Sequence, residues 1–215
     1  VLESDATPVP AARPTAETSG KRRAFADWLT SPGNPLPARV MANRLWQFHF
    51  GRGIVPTPND FGRLGEAPTH PELLDWLAGE FIRRGWRIKD MHRLLMFSTA
   101  YRLSAASTEA GLERDPGNHL FWRFNMRRLT AEEVRDSILA VSGQLNLKSG
   151  GPGVYPPIPK EVLAGQSVPG SGWGNSPPEE AARRSVYVHV KRSLLVPILS
   201  QHDMADTDSS CAVRF

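Results

Sequence analysis

The sequence predicts a mainly α-helical fold, with about five helices around one core, a small β element near residues 185–193 and long irregular loops. Three observations carry that prediction. Between Lys21 and Leu145, apolar residues recur at i, i+3 and i+4, the spacing that lines one face of a helix. Threonine caps with a glutamate three positions on, and Pro or Gly stops, bracket those stripes. From Ser185 to Ser193 the period changes to two, with Val186, Val188 and Val190 on one face and Tyr187, His189 and Lys191 on the other.

Each element follows from local chemistry. Residues 1–20 are rich in Ala, Pro, Thr and Glu and have no apolar period, so they read as a disordered linker that buries too little surface to offset chain entropy. In residues 21–30, Phe25, Trp28 and Leu29 share a helical face, and Ser31-Pro32-Gly33 stops the helix. Pro35 and Pro37 open a second helix, because a first-turn residue needs no amide donor. It runs to about Phe50, with Val40, Met41, Leu45 and Phe48 pointing inward, Trp46 and Phe50 flanking, and Gly51 as its stop.

Residues 51–69 form a long loop punctuated by Gly and Pro, of the kind that is either functional or packed on itself. Thr69 and Glu72 fit a capping box that opens a helix carrying Leu73, Leu77 and Phe81, which Gly85 ends. A further helix spans about Lys89 to Leu103, with Met91, Leu94, Leu95 and Tyr101 as its stripe. Residues 104–116 read as loop, and a short helix near Asn118–Phe124 follows. Thr130 and Glu133 make a second capping box, for a helix to about Leu145 with Val134, Ile138, Val141 and Leu145 on one face. The helical core is thus expected over 21–148, and 149–215 is a loop-rich extension whose strand needs a partner and whose tail reads as incomplete.

Composition narrows the classes of function. Hydrophobic residues make up 40% of the chain, enough for a packed interior. No apolar run approaches the roughly 20 residues of a membrane helix. The one cysteine, Cys211, allows no internal disulfide, and no C-x-x-C-H haem-attachment pattern occurs. The net charge is +4, with the basic excess concentrated between residues 21 and 128. These arginines are dispersed, without a helix-turn-helix, a stacking sheet or a basic arm, so nucleic acid is not the expected partner.

The run NPLPARVMANRLWQFHFGRGIVPTPNDFGRLGEAPTHPELLDWLAGEF, followed by GW-x-x-K-x-x-H and S-x-x-YR, resembles the planctomycete cytochrome c-associated domain of unknown function, DUF1553 or PSD1. The likeness continues through Asp115-Pro116, Asn118, RRLTAEEVRDSILAVSGQLN and RRSVYVHVKRS. It covers nearly everything from Lys21 to Arg214. Where such proteins usually have Phe-Asp-x-Pro/Ala-Asp, this chain has His202-Asp203-Met204-Ala205-Asp206. The resemblance implies an extracytoplasmic location, periplasmic or in the cell envelope. It also implies a larger exported polypeptide whose other domains, a cytochrome-like domain and a second uncharacterised domain, are the partners. Haem c would then sit in the upstream domain, with no cofactor in this chain, and the chain would be a C-terminally truncated fragment. No activity or catalytic residue comes with the resemblance.

Candidate chemistry concentrates in the 51–69 loop. Asp60 and Glu66, with Glu72 and Asp75 nearby, are carboxylates that could pair as acid and base on a glycosidic bond, and His70 adds a titratable ring. Arg44, Arg52 and Arg63 are the anion-binding candidates. Together they give a hydrolase of glycan or sulfated polysaccharide as the alternative to a structural or interaction module. The hydrolase needs Asp60, Glu66, His49 or His70 to converge in an open pocket. The competing arrangement is a set of arginine–carboxylate pairs holding the loop, with Asp75 joined to Arg44 or Arg63. The six histidines show no metal-binding spacing, and His202, Asp203, Asp206 and Asp208 lack the glycine and distal glutamate of a calcium loop. Cys211 has no evident base, and Trp46, Trp86 and Trp122 are read as core before haem contacts.

Overall fold

The computed structural model describes residues 10–31, 33–206, 211 and 213–214. Residues 1–9 of the expected linker lie outside the described residues, as does Asp208. The chain divides into two compact units, Val1–Arg127 and Arg128–Phe215.

The first unit contains α1 (Lys21–Leu29), α2 (Leu36–Phe50), α3 (Pro71–Arg83), α4 (Ile88–Met96) and α5 (Glu109–Arg114), with a 3-10 turn at Ala100–Arg102. Helix α2 packs against α3 and α4. Its ends are those expected: Pro37 sits in the first turn, and Gly51 closes it with φ 80°. The interior gathers Leu45, Trp46, Phe50, Ile54, Leu74, Leu77, Phe81, Met91 and Leu95. Aromatic rings fill much of it, with Trp46 stacked on Phe50 at 4.0 Å and Phe121 edge-on to Trp46 at 5.2 Å.

Several expected apolar faces are turned outward. Phe25 and Leu29 are exposed, and α1 buries only Ala24. Phe48 is exposed as well. The stretch after Arg114 is not a helix, because Asp115 and Asn118 capture its backbone. The Asp115 carboxylate accepts from the His119 and Leu120 amides at 2.9 and 2.8 Å. Asn118, also buried, donates to Arg123 O at 2.8 Å and accepts from Arg123 N at 3.2 Å. Such side-chain bonds compete with helical ones. Asn118 and Phe121 accordingly take positive φ values of 51° and 55°.

The second unit contains α6 (Ala131–Val141), α7 (Lys160–Ala164), α8 (Pro178–Ala181) and α9 (Pro197–Ser200), with a 3-10 turn at Ser185–Tyr187. The Thr130 capping box is formed: Thr130 N donates to Glu133 Oε2 at 2.8 Å, and Glu133 N donates to the Thr130 hydroxyl at 3.4 Å. The expected single core is not what is found. A second apolar cluster, Ala131, Val154, Val188, Val196 and Leu199, lies within this unit. Helix α6 keeps only part of its expected stripe inward, with Val134 half-buried. Ile138 and Val141 are exposed, while Ala131 and Arg135 are buried.

The expected β element is also overturned, since no β-strand forms among the described residues. One parallel bridge joins Val154 and Val188. Val154 N donates to Tyr187 O and His189 N donates to Val154 O, each at 2.8 Å. Pairing stops there because Pro152, Pro156 and Pro157 flank Val154 and bring no amide donors. The amides of Tyr187 and Val188 are also spent on the Arg184 and Ser185 carbonyls inside the 3-10 turn. Only Val188 of the alternating valines is buried; Val186 and Val190 are exposed.

Two guanidinium groups hold this unit together. Arg183 is 1% exposed and donates to the carbonyls of Lys148, Gly150 and Pro152. Its charge lies 3.9 Å from the Tyr187 ring centroid. Arg135 donates to Ala181 O at 2.6 Å, Arg183 O at 2.9 Å and the Ser185 hydroxyl at 3.0 Å. Burial lowers the pKa of Arg135, and Asp136 at 3.6 Å counters that shift.

Candidate functional site

The 51–69 loop is built from the helix beneath it. Asn43, fully buried on α2, donates through Nδ2 to Val55 O at 3.0 Å and accepts at Oδ1 from Val55 N at 2.8 Å. One side-chain amide therefore satisfies both backbone groups of Val55, which is itself buried. Thr69 donates through its amide and its hydroxyl to Ile54 O, at 2.9 and 3.3 Å. The expected Thr69–Glu72 capping box is absent, because that hydroxyl is used to close the base of the loop; the N-cap of α3 is His70. Within the loop the Thr57 hydroxyl donates to Asp60 O at 2.9 Å and accepts from Glu66 N at 3.0 Å. Gly65 packs against Asp60 O so closely that any Cβ there would overlap it.

Over this loop, α2 and the start of α3 close a cleft of about 590 Å³ in the first unit. That volume is in the range of small-molecule sites, roughly 300–1,000 Å³. Its walls are mainly apolar, including Leu36, Val55, Phe61, Pro68 and Leu74, and its charged members are Arg39, Arg63, Glu66 and Asp75. Arg39 Nε donates to Asp75 Oδ1 at 2.6 Å, from a side chain that is mostly buried. Asp75 thus meets Arg39, a partner that the sequence did not suggest. Arg39 and Asn43 carried no sequence signal: each acts on a residue 36 or 12 positions away, through the fold and not through a local pattern.

Glu66 and Arg63 line the cleft, but Asp60 and His70 do not. The Asp60 carboxylate accepts from Gly62 N at 2.8 Å, inside the loop. His70 Nδ1 lies 2.9 Å from the Thr69 hydroxyl, with its ring 5.9 Å from Phe121. Arg44 donates to Asn59 Oδ1 at 2.8 Å, and Arg52 bonds to His119 Nδ1. His49 meets a different partner, with its Nε2 2.8 Å from His92 Nδ1. Burial, and then the charge of His92, holds the His49 ring below the ordinary imidazole pKa. This histidine pair spans α2 and α4, so no sequence spacing could announce it.

Among the described residues, no three His, Cys, Asp or Glu side chains gather as a metal site would require. Asp203 accepts from Ala131 N through its carbonyl, at 3.2 Å. The Cys211 thiol lies 3.4 Å from Val213 O. Trp46 is buried, Trp86 is half exposed, and Trp122 donates to Asp115 O at 2.8 Å. No helix among the described residues is long and apolar enough to cross a membrane.

Comparison with known proteins gives one match. A family described as "PSD1: Protein of unknown function (DUF1553)" covers residues 21–215. No curated protein matches the chain, and no solved structure does. The family match is consistent with the extracytoplasmic location that the resemblance implied. With all of both units after the first 20 residues inside the matched region, the chain belongs to the PSD1 (DUF1553) family of proteins of unknown function.

Proposed function

We propose that this chain is a non-catalytic interaction module of a larger exported polypeptide, with the cleft over the 51–69 loop as its contact surface. Its partners would be other domains of that polypeptide, including a cytochrome-like domain that carries haem c. One observation supports the reading above the others. The cleft holds Glu66 without Asp60, and its other carboxylate, Asp75, is already paired with Arg39. A glycosidic bond needs two carboxylates free to act on opposite sides of the sugar. The mainly apolar walls suit a protein side chain better than a hydrated glycan.

The hydrolase alternative keeps one favourable feature, the presence of Glu66 and Arg63 in the same cleft. Full-length protein incubated with neutral and sulfated polysaccharides separates the two readings. The expected result is no release of reducing ends, with Asp60→Asn and Glu66→Gln indistinguishable from the parent. Turnover that either substitution abolishes, with the melting temperature unchanged, would overturn the proposal. Cross-linking of the full-length protein provides the positive arm, with cross-links from residues around the cleft to another domain as the expected result.

A further inference from the structure

The wall of the cleft where α2 meets α3 offers more than apolar surface. Two cations, Arg39 and Arg63, and two carboxylates, Glu66 and Asp75, line the cleft, so its charges cancel. Such a lining selects neither an anion nor a cation. What it presents instead is a donor and an acceptor held side by side. Arg39 and Asp75 meet through one atom each, Nε on Oδ1 at 2.6 Å. A guanidinium has five N–H donors and a carboxylate has two oxygens, so this end-on contact leaves most of both groups unused. The Arg39 Nη groups and Asp75 Oδ2 have no partner among the described residues. They are also within reach of a ligand. The Arg39 side chain is 16% exposed, yet none of its nitrogens is among the buried polar atoms without a partner, and the Asp75 side chain is 52% exposed.

From this arrangement we infer that the Arg39–Asp75 pair clamps the backbone of one residue in an extended partner segment, whose apolar side chain enters the cleft. An Arg39 Nη group would donate to the carbonyl of that residue, and Asp75 Oδ2 would accept from its N–H. Both groups of one residue in an extended chain point the same way, as they do toward a neighbouring strand. One helical turn further along α2, Asn43 already meets both backbone groups of Val55 in this manner.

The clamp rests on the reading of the cleft as a contact surface, and it gives the partner a form. That partner is an extended segment with an apolar anchor, recognised through its main chain as well as its side chain. Leu36, Val55, Phe61 and Leu74 supply the surface for the anchor. The Arg39 stem is mostly buried and its head is held by Asp75, so little side-chain freedom remains to be lost on binding. A purely apolar ligand would leave the Nη groups and Oδ2 unused.

Titrations of the whole chain test the clamp, followed by the backbone amide resonances of Gly62, Gly65 and Ala67, which line the cleft. The probes are N-acetyl-leucine N-methylamide, the depsipeptide with oxygen in place of its leucine N–H, and N-acetyl-alanine N-methylamide. The leucine amide should move these resonances. The depsipeptide should bind about tenfold more weakly, because Asp75 Oδ2 then faces an oxygen lone pair. The alanine amide should also be at least about tenfold weaker, for its three missing carbons. Asp75→Asn keeps an acceptor for Arg39 and turns the second oxygen into a donor. It should weaken the leucine amide about tenfold and leave the depsipeptide no weaker. Arg39→Met, which keeps an apolar stem, should weaken both about tenfold. The clamp is refuted if the resonances stay unmoved up to the solubility limit of the leucine amide. It is equally refuted if the depsipeptide binds as tightly as the amide, or if Asp75→Asn weakens both alike. Cross-linking of the full-length protein separates this outcome from failure of the contact surface itself. Cross-links to another domain with the clamp refuted leave a surface that works through side chains alone. Discriminating probe binding without any such cross-link overturns the domain-contact reading and leaves the clamp standing.

Discussion

The two units differ in the largest side chains they bury completely. In the first, Phe81, Ile54, Leu77 and Met91 are among the most completely buried side chains, and the polar ones buried with them, Asn43 and Asn118, are uncharged. In the second, the large side chain buried to that degree is Arg183, and Arg135 lies close beside it at 6% exposure. The difference follows from the supply of amide donors. Residues 149–182 are dense in proline, and each proline brings a carbonyl without an N–H. Short helices and bends leave many of those carbonyls without a backbone partner. A guanidinium offers five donors in a fixed fork, so one arginine can do for three scattered carbonyls what a neighbouring strand does for a regular one. Burying its charge is costly, and Glu180 and Asp136, each at 3.6 Å, offset part of that cost.

The largest effect that tests this contrast is removal of the Arg183 fork. Arg183→Met fills similar volume and leaves the carbonyls of Lys148, Gly150 and Pro152 without their donor. The expected loss is about 3–5 kcal/mol, confined to the second unit. Hydrogen exchange read peptide by peptide checks it: residues 130–200 should lose protection while α2 and α3 keep theirs. Arg183→Lys should fall between, since an ammonium can reach some of the carbonyls but not as a planar fork. A variant with methionine as stable as the parent would show that the apolar cluster alone holds this unit.

The first unit has its own version of the device in two buried amides, Asn118 on Arg123 and Asn43 on Val55. Asn43→Ala strands a buried N–H and a buried C=O together, for an expected loss of about 2–3 kcal/mol in urea unfolding. The accompanying change should be faster exchange across residues 53–69, because the loop loses its anchor to α2. Asn43→Asp separates the two bonds by keeping an acceptor for Val55 N and removing the donor to Val55 O. If neither variant changes exchange in the loop, the Thr69–Ile54 closure is the real anchor.

The same contrast explains what could be read from the sequence. Helix α2 between Pro37 and Gly51, and α6 from its Thr130 capping box, were legible because caps act within four residues. The Leu77 and Phe81 stripe was legible because a carbon interior selects by period alone. Where polar side chains direct the backbone, period misleads. Asp115 and Asn118 suppress the helix that Leu120, Phe121 and Phe124 suggest. Val186 and Val190 imitate a strand, but the neighbour that would pair with them is interrupted by prolines. The candidate site divides the same way. Glu66 and Arg63 reach the cleft from the loop that named them, whereas Arg39, Asn43 and the His49–His92 pair depend on contacts between helices.

The smallest expected effect concerns protons, and it again differs between the units. In the second unit Arg183 and Arg135 donate to backbone carbonyls, whereas in the first unit burial, and then the charge of His92, lowers the pKa of His49. A histidine whose folded pKa lies below its unfolded value of 6.5 takes up a proton on unfolding between those two values. Its contribution to stability is therefore complete above 6.5 and declines as the pH falls toward the folded pKa. The depressed carboxylates act lower on the scale. Burial raises Glu132, Arg214 and neighbouring hydrogen bonds lower it by more, and its stabilising pair is lost only as pH falls below 4.5. Glu80, held at about 2 by hydrogen bonds from Arg83 and then Arg84, is lost later still. Between pH 7.5 and 5.5 the exchange protection of α2 and α4 should thus fall slightly while that of α6 stays level. His49→Gln should flatten the difference, because an amide can still reach His92 but takes no proton. A parallel decline in both units, or one that survives the glutamine, would remove the histidine pair as its source.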